Sequence, residues 1–359
     1  MIRLPRTFFK LVVKFLAGSH LYGTNTPQSD IDERGVFIPT EEYFLGFLDR
    51  IEQMELKKED IVYYDIRKFC SLAMEGNPNI IELLFVPSDK WIEYSSEWQH
   101  IVDNTSLFLS KKIKHTFSGY AHSQLGRIQR HRAWLLDPPT KPPERVDYGL
   151  PFDRPLISKD QIGAFNRFLV TALLEIREKH SLRELLEEME ETRDFYSLIN
   201  ATKKPDWEAI HHLVPVSENF IVAVQRERAY LQAKRDWDAY LSWKKNRNLE
   251  RSELEKKFGY DTKHAAHLYR LMSECEELMI YKTLTFPRPD AEFLLDIRRG
   301  ALSYAELMQH VERYDEWFNN LYDRTDLPHK PKIAAVNKLC INLCRSKLTE
   351  DFMEGNWLD

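Results

Sequence analysis

Cysteine is scarce in this sequence. Cys70, Cys275, Cys340 and Cys344 are the only four in 359 residues, too few for the disulfide framework of a small secreted scaffold. Cys340 and Cys344 are one helical turn apart, but no second Cys pair or nearby His completes a zinc-ligand spacing. Reduced, buried thiols are the expectation, and they fit a cytosolic compartment. Twelve Gly and seventeen Pro exclude collagen-like and low-complexity chains. Neither sign of charge dominates. The 51 Lys and Arg against 56 Asp and Glu leave a formal charge of −5, which gives no general attraction to nucleic acid or to an anionic membrane. Long apolar runs are missing too. Leu11–Val13 and Ile80–Val86 fall far short of the roughly 20 residues of a membrane span. Lys10 and Lys14 break the apolar patch that follows Arg3 and Arg6, which argues against a secretory leader. What the chain does have is 8 Trp, 16 Tyr and 20 Phe, with 43% hydrophobic and 30% charged residues. That composition excludes pervasive disorder, and the length gives room for about two domains.

The first 95 residues mix strand and helix signals. Lys10–Ala17 is β-branched and aromatic and runs into Gly18-Ser19, as a strand feeding a turn. Ile31–Ile38 reads as a second strand stopped by Pro39, and Ile61–Tyr64 as a third. Asp65 suits the N-cap of a helix Ile66–Glu75 that Gly76 ends. From about Ser95 the strand signals nearly vanish. Amphipathic stretches follow at Ser95–Leu136, Ser158–Asn200, Glu218–Asn246 and Thr262–Leu284. The charge-rich Leu186–Arg193 and Trp243–Lys257 read as solvated helix faces. Six prolines in Asp137–Pro155 make that segment a surface loop or an active-site flap. The pattern predicts an α+β chain: a small mixed sheet with helical cover at 1–95, then a mostly helical region over 96–359.

The chemistry concentrates in Gly18–Gly35, GSHLYGTNTPQSDIDERG. On a strand, Asp30 and Asp32 share one face while Ile31 takes the other. Two carboxylates so close repel each other unless one protonates or a cation lies between them. With only oxygen ligands, that cation is Mg²⁺ or Mn²⁺. Gly18 and Ser19 after a strand suit close approach of anionic oxygen. A phosphate cradle beside a metal-binding pair is the minimum kit for phosphoryl or nucleotidyl transfer. No G-x-S-x-G elbow surrounds Ser19, and no Walker-type G-K-[ST] is present.

In order and spacing, G-S-(x)₃-G-T-(x)₄-S-D-x-D resembles the signature of the DNA polymerase beta nucleotidyltransferase superfamily. More closely, the chain resembles the RNA repair pathway DNA polymerase beta family. Gly18–Pro39 resembles that family's first block. Asp60–Phe85 resembles the second, through Tyr64, Arg67-Lys68-Phe69, Asn77-Pro78 and Glu82-Leu83-Leu84. Tyr260–Arg270 with Leu295–Gly300 resembles the third. The resemblance implies a polymerase-beta-like α/β catalytic domain at 1–95. The helical remainder would complete a cleft for nucleotide and acceptor. Gly18, Ser19, Thr24 and Ser29 would hold an incoming NTP, ATP among them, and Asp30 and Asp32 would ligate the metals. A third carboxylate on a neighbouring strand is implied; Asp60 is the first candidate, with Asp65, Glu59 and Glu55 as alternatives. The implied reaction is in-line attack of an acceptor hydroxyl on the α-phosphate, with an RNA end, tRNA included, as the acceptor. A protein or small-molecule acceptor, a non-catalytic nucleotide-binding module and a phosphotransferase or hydrolase are the alternatives.

Downstream, Lys263, His267 and Arg270 fall at i, i+4 and i+7 and share one helical face. The third block makes them candidates for contacting triphosphate or an RNA backbone. Between Lys111 and Arg132, nine basic residues alternate with Phe117 and Tyr120, and Trp134 follows. Such interleaving suits single-stranded nucleic acid as well as an ordinary helix surface. Arg298-Arg299 beside Gly300 is similarly ambiguous. Asn77 with Pro78 reads as a turn, and Glu82 as the partner of a buried cation.

Overall fold

Apolar β-branched and aromatic residues dominate Phe9–Leu16, and this run is strand β1 in a computed structural model of the chain that describes residues 9–168, 217–247 and 249–353. Arg3, Arg6, Leu186–Arg193 and the part of the Ser158–Asn200 stretch from residue 169 onward lie outside the described residues. After β1 come helix α1 (Gly18–Tyr22), β2 (Glu33–Pro39), a single-turn α2 (Glu41–Phe44), β3 (Gln53–Leu56) and β4 (Ile61–Asp65). Helices α3 (Ile66–Met74) and α4 (Pro78–Ile81), strand β5 (Trp91–Tyr94), α5 (Ser96–Val102) and the long α6 (Lys112–Leu136) follow. The spatial order is β3-β4-β2-β1-β5, with β2 and β4 parallel and the other pairs antiparallel. The result is the N-terminal mixed sheet and mostly helical C-terminal region that the α+β reading predicts.

β2 is buried over Gly35–Pro39 because both of its faces are covered. Val36 and Ile38 join the main core, while Phe37 packs with Phe9 and Tyr63 on the other face. Asp65 caps α3 by accepting from the Arg67 backbone N–H at 2.6 Å. That side-chain cap stops β4 and starts the helix within one residue. Asn77 caps α4 in the same way, accepting from Asn79 N–H at 3.1 Å with Pro78 at the first helical position.

The chain divides into two compact units, Met1–Leu136 with Asn248–Asp359, and Asp137–Arg247. In the second unit the proline-rich segment is tied to helix α7 (Glu218–Lys245). Arg145 bonds the buried Glu227 carboxylate at 2.6 Å, and Leu156 N–H donates to the same carboxylate at 2.7 Å. In the first unit the chain continues through α8 (Leu249–Phe258), α9 (Thr262–Tyr281), α10 (Ala291–Arg298), α11 (Tyr304–Arg324) and α12 (Ile333–Met353). Leu268, Leu271 and Cys275 of α9 share one core with Ile113 and Phe117 of α6 and with Phe15 and Val36 of the sheet. The four cysteines are free thiols, with Cys70, Cys275 and Cys344 buried. No helix among the described residues is long and apolar enough to cross a membrane.

Candidate active site

Three chain segments meet at one end of the sheet. β1 leaves through Ala17, whose N–H donates to the Asp32 carbonyl at 2.9 Å. β2 enters at Glu33, whose N–H donates to the Asp60 carbonyl at 3.2 Å. β2 and β4 run in parallel register with Glu33 opposite Ile61, so Asp32 and Asp60 stand side by side as the two strands begin. The sequence predicts a strand from Ile31. The ladder starts at Glu33 instead, and the acidic pair lies on its extended lead-in.

Gly18 closes the site from the β1 side. Its φ is +59°, a left-handed backbone, and a Cβ there would run into the Asp32 carboxylate. Glycine satisfies both demands, since it has no side chain and no penalty at positive φ. Asp60 also holds a positive φ, 53°, a conformation that non-glycine residues adopt rarely and Asp more often than most.

The electrostatics follow from this crowding. Asp32 is half-buried, and its carboxyl is pushed above the ordinary aspartate value. Burial is the largest cause; Arg34 opposes it, and the Asp60 and Asp30 carboxylates reinforce it. Arg34 spans the group, donating to the Asp60 carbonyl at 2.9 Å and lying 3.5 Å from Asp32 Oδ1 and 3.8 Å from Asp60 Oδ1. Arg34 is not among the candidates that the sequence motif offers, although strand alternation two residues after Asp32 puts it on the same face. A cavity of about 230 Å³ opens here, lined among others by Gly18, Tyr22, Asp32, Arg34, Glu55 and Glu82. This is a glycine turn packed against an all-oxygen acidic cluster at the mouth of a cavity. Residues 6–136 match the RNA repair pathway DNA polymerase beta family.

The family match spans β1 through β5 and ends with α6. It takes in the first two blocks of the sequence reading, while Tyr260–Arg270 and Leu295–Gly300 lie beyond it. The chain is also similar to an uncharacterized 38.9 kDa protein in the nrdC-mobD intergenic region of Enterobacteria phage T4. The two are 24% identical over 318 residues, covering 84% of this chain and 87% of the phage protein. No solved structure matches the chain.

Within the matched segment, Ser19 is half-buried in the first turn of α1. Thr24 N–H donates to the Ser19 carbonyl at 3.0 Å, which carries the chain out of that helix. The Ser29 hydroxyl accepts from Thr26 N–H at 2.8 Å and so shapes the turn that delivers Asp30. Asp30 itself is exposed. Asp65 is wholly buried, and both its oxygens are engaged by Arg67, with Nε at 3.0 Å from each. Glu55 of β3 lines the cavity.

The α9 candidates separate. Lys263 is exposed. Arg270 is buried, and its guanidinium bonds Glu82 and, at 2.8 Å, Glu274. The same guanidinium lies 4.1 Å from the centre of the Tyr22 ring, and Tyr22 Oη donates to Glu82 at 2.6 Å. Burial alone would lower the Arg270 pKa; Glu274 and Glu82 hold it well above its ordinary value. The network pins α1 to α9, and Glu82 has the buried cation that the sequence predicts. His267 contacts Arg270 at 3.2 Å and is pushed down to about 3, first by burial and then by Arg270, so it is a neutral imidazole at pH 7. Along α6 and just before it, several basic residues are engaged within the fold. Lys111 bonds the Tyr322 carbonyl at 2.7 Å, His122 lies 3.0 Å from Asp315, and Arg132 bonds the Gly259 carbonyl at 2.6 Å. Arg127 and Arg130 are exposed. Thr262 Oγ1 bonds the Arg298 carbonyl at 2.8 Å, which ties the Arg298-Arg299 turn to α9.

Proposed function

We propose that the chain is a metal-dependent nucleotidyltransferase that moves a nucleoside monophosphate from an NTP to the hydroxyl of an RNA end. The observation that carries this reading is Gly18 packed against the Asp32 carboxylate at the wall of the cavity, with Asp60 joined to Asp32 through Arg34. The match to a family named for RNA repair supports the acceptor class.

The residues fit a divalent cation. Their donors are all oxygen, as Mg²⁺ or Mn²⁺ requires, and Asp60 and Asp30 add their negative charge beside the half-buried Asp32 carboxylate. Held by Asp30, Asp32 and Asp60, such ions supply Lewis-acid charge at the phosphate oxygens. Gly18 leaves room for the triphosphate beside Asp32, and the Ser19 hydroxyl binds its oxygens. Asp60 takes the proton of the acceptor hydroxyl. A bond forms between that oxygen and the α-phosphorus, and the bond to pyrophosphate breaks. Tyr22, Glu82 and Arg270 position α1 and so the Gly18-Ser19 turn.

Comparing Asp60→Asn with Asp65→Asn tests these assignments. With α-labelled NTP, Mg²⁺ and RNA, Asp60→Asn is expected to slow transfer by at least about 100-fold. Its unfolding free energy should stay within about 0.5 kcal/mol of wild type, as for exposed positions generally. Asp65→Asn should do the opposite. It weakens the charged bonds to Arg67 and costs about 1–3 kcal/mol of stability, while the rate keeps its order of magnitude. Loss of transfer in Asp65→Asn alone would move the proton acceptor from Asp60 to Asp65.

Gly18→Ala probes the cradle. The left-handed backbone costs a non-glycine residue about 1–2 kcal/mol, and the new methyl displaces the Asp32 carboxylate. A displacement on that scale is expected to slow transfer about 100-fold. A wild-type rate in Gly18→Ala would show that Gly18 does not set the Asp32 position.

A further inference from the structure

A second set of ligand-type side chains comes from different elements of the first unit. Gly259 takes a φ of +76° and turns the chain after α8. Arg132 of α6 bonds the Gly259 carbonyl at 2.6 Å, which holds α6 against this turn and brings His131 beside Asp261. Asp261 caps α9, with Oδ1 accepting from the His264 N–H at 3.1 Å. That cap sets His264 on the first turn of α9, with its ring 5.7 Å from the ring of His131. One ligand atom from each of His131, Asp261 and His264 lies within 4.8 Å of the other two.

The separations match ligands that share an ion. Asp261 Oδ2 lies 3.4 Å from His131 Nδ1 and 3.7 Å from His264 Nε2. Two bonds of about 2.0–2.1 Å at a tetrahedral angle put their ligand atoms about 3.4 Å apart. Two imidazoles and one carboxylate form the donor set of zinc and related transition-metal sites and are a poor set for Mg²⁺. The Asp261 carboxylate is wholly buried, whereas the two imidazoles keep 16–17% of their surface, so an ion has a route in. Arg251 now holds Asp261 Oδ2, with Nε at 3.1 Å. The same Nε lies 3.7 Å from Glu255, a buried carboxylate one turn along α8. Arg251 therefore has a second acceptor to which it can pass when Asp261 turns to a metal.

We propose that His131, Asp261 and His264 form a Zn²⁺-type metal site, separate from the Asp30–Asp32–Asp60 cluster, with water in the fourth position. The ion joins α6 to the start of α9 and releases Arg251 to Glu255. The site does not depend on the nucleotidyltransferase reading.

Co²⁺ serves as the probe, because its visible absorption reports coordination number. The experiment uses the full chain carrying Asp30→Asn and Asp32→Asn, so that bound ions report this site. One Co²⁺ per chain is expected, with the intense visible bands of a four-coordinate N/O site, displaced by one equivalent of Zn²⁺. Adding His131→Gln or His264→Gln should weaken Zn²⁺ binding at least 100-fold with an unchanged circular dichroism spectrum. If His264→Gln disturbs the start of α9, His131→Gln, within α6, decides the matter. Absence of stoichiometric binding in the parent, or Zn²⁺ binding that His131→Gln leaves intact, overturns the proposal.

Discussion

Asp32→Asn should slow nucleotidyl transfer by about 10²–10³-fold or more while leaving the chain as stable as wild type, or more so. The rate falls because Asn lacks the charge to hold a metal ion, and the stability follows from the surroundings of the carboxyl. The folded-state pKa of Asp32 is raised above its ordinary 3.8 by burial and by Asp60 and Asp30. A group with a raised folded pKa contributes stability below its unfolded pKa and loses it as the pH climbs through the folded value. At pH 7 the ionised Asp32 is therefore a net cost to the fold, and the neutral, isosteric Asn removes that cost. A residue kept for packing would behave in reverse, losing stability without touching the chemistry. Urea unfolding at pH 7 beside the transfer rate separates the two. An Asp32→Asn variant that is both less stable and fully active would contradict a role in catalysis.

Arg270→Met should be the most damaging single change to the fold. The guanidinium is buried between Glu82 and Glu274 and lies on the Tyr22 ring. Removing it leaves the buried Glu82 and Glu274 carboxylates without the cation they share, and breaking a buried pair in this way costs about 3–5 kcal/mol. Burial, with each carboxylate beside the other, already raises Glu274 well above its ordinary value even with Arg270 present. Replacing the whole group is a different matter. Arg270→Met combined with Glu82→Leu and Glu274→Leu removes every charge together, and such replacements are commonly neutral or stabilising. Denaturant midpoints of the single and triple variants make the check. A single variant as stable as wild type would mean that the network does not hold α1 to α9.

Where the sequence pattern runs long and one face is apolar, the elements were legible. β1, β2, β4 and α3 fall within two residues of their predicted ends, and Asp65 occupies its predicted cap. β3 and β5 were missed. Each has four residues, stands at a sheet edge and buries little, so alternation has no length over which to show. Within the site, the acidic pair and the glycine were readable because they are close in sequence. Apposition of Asp60 to Asp32 depends on the parallel register of β2 and β4, which no local spacing encodes. The limit is plainest at Arg270. Its spacing from Lys263 and His267 suggests a cationic face, but its partner Glu82 is 188 residues away in the chain. That contact turns a candidate ligand-binding cation into a buried anchor for Tyr22.

The most direct measurement follows the label. The wild-type chain is incubated with Mg²⁺, RNA and each NTP labelled in turn at the α- and the γ-phosphate. Transfer of the α-label to RNA, with the γ-label released as pyrophosphate and no transfer by Asp30→Asn, is the predicted result. Release of the γ-label as inorganic phosphate, with the α-label left on a nucleoside diphosphate, would make the site a phosphohydrolase and contradict nucleotidyl transfer.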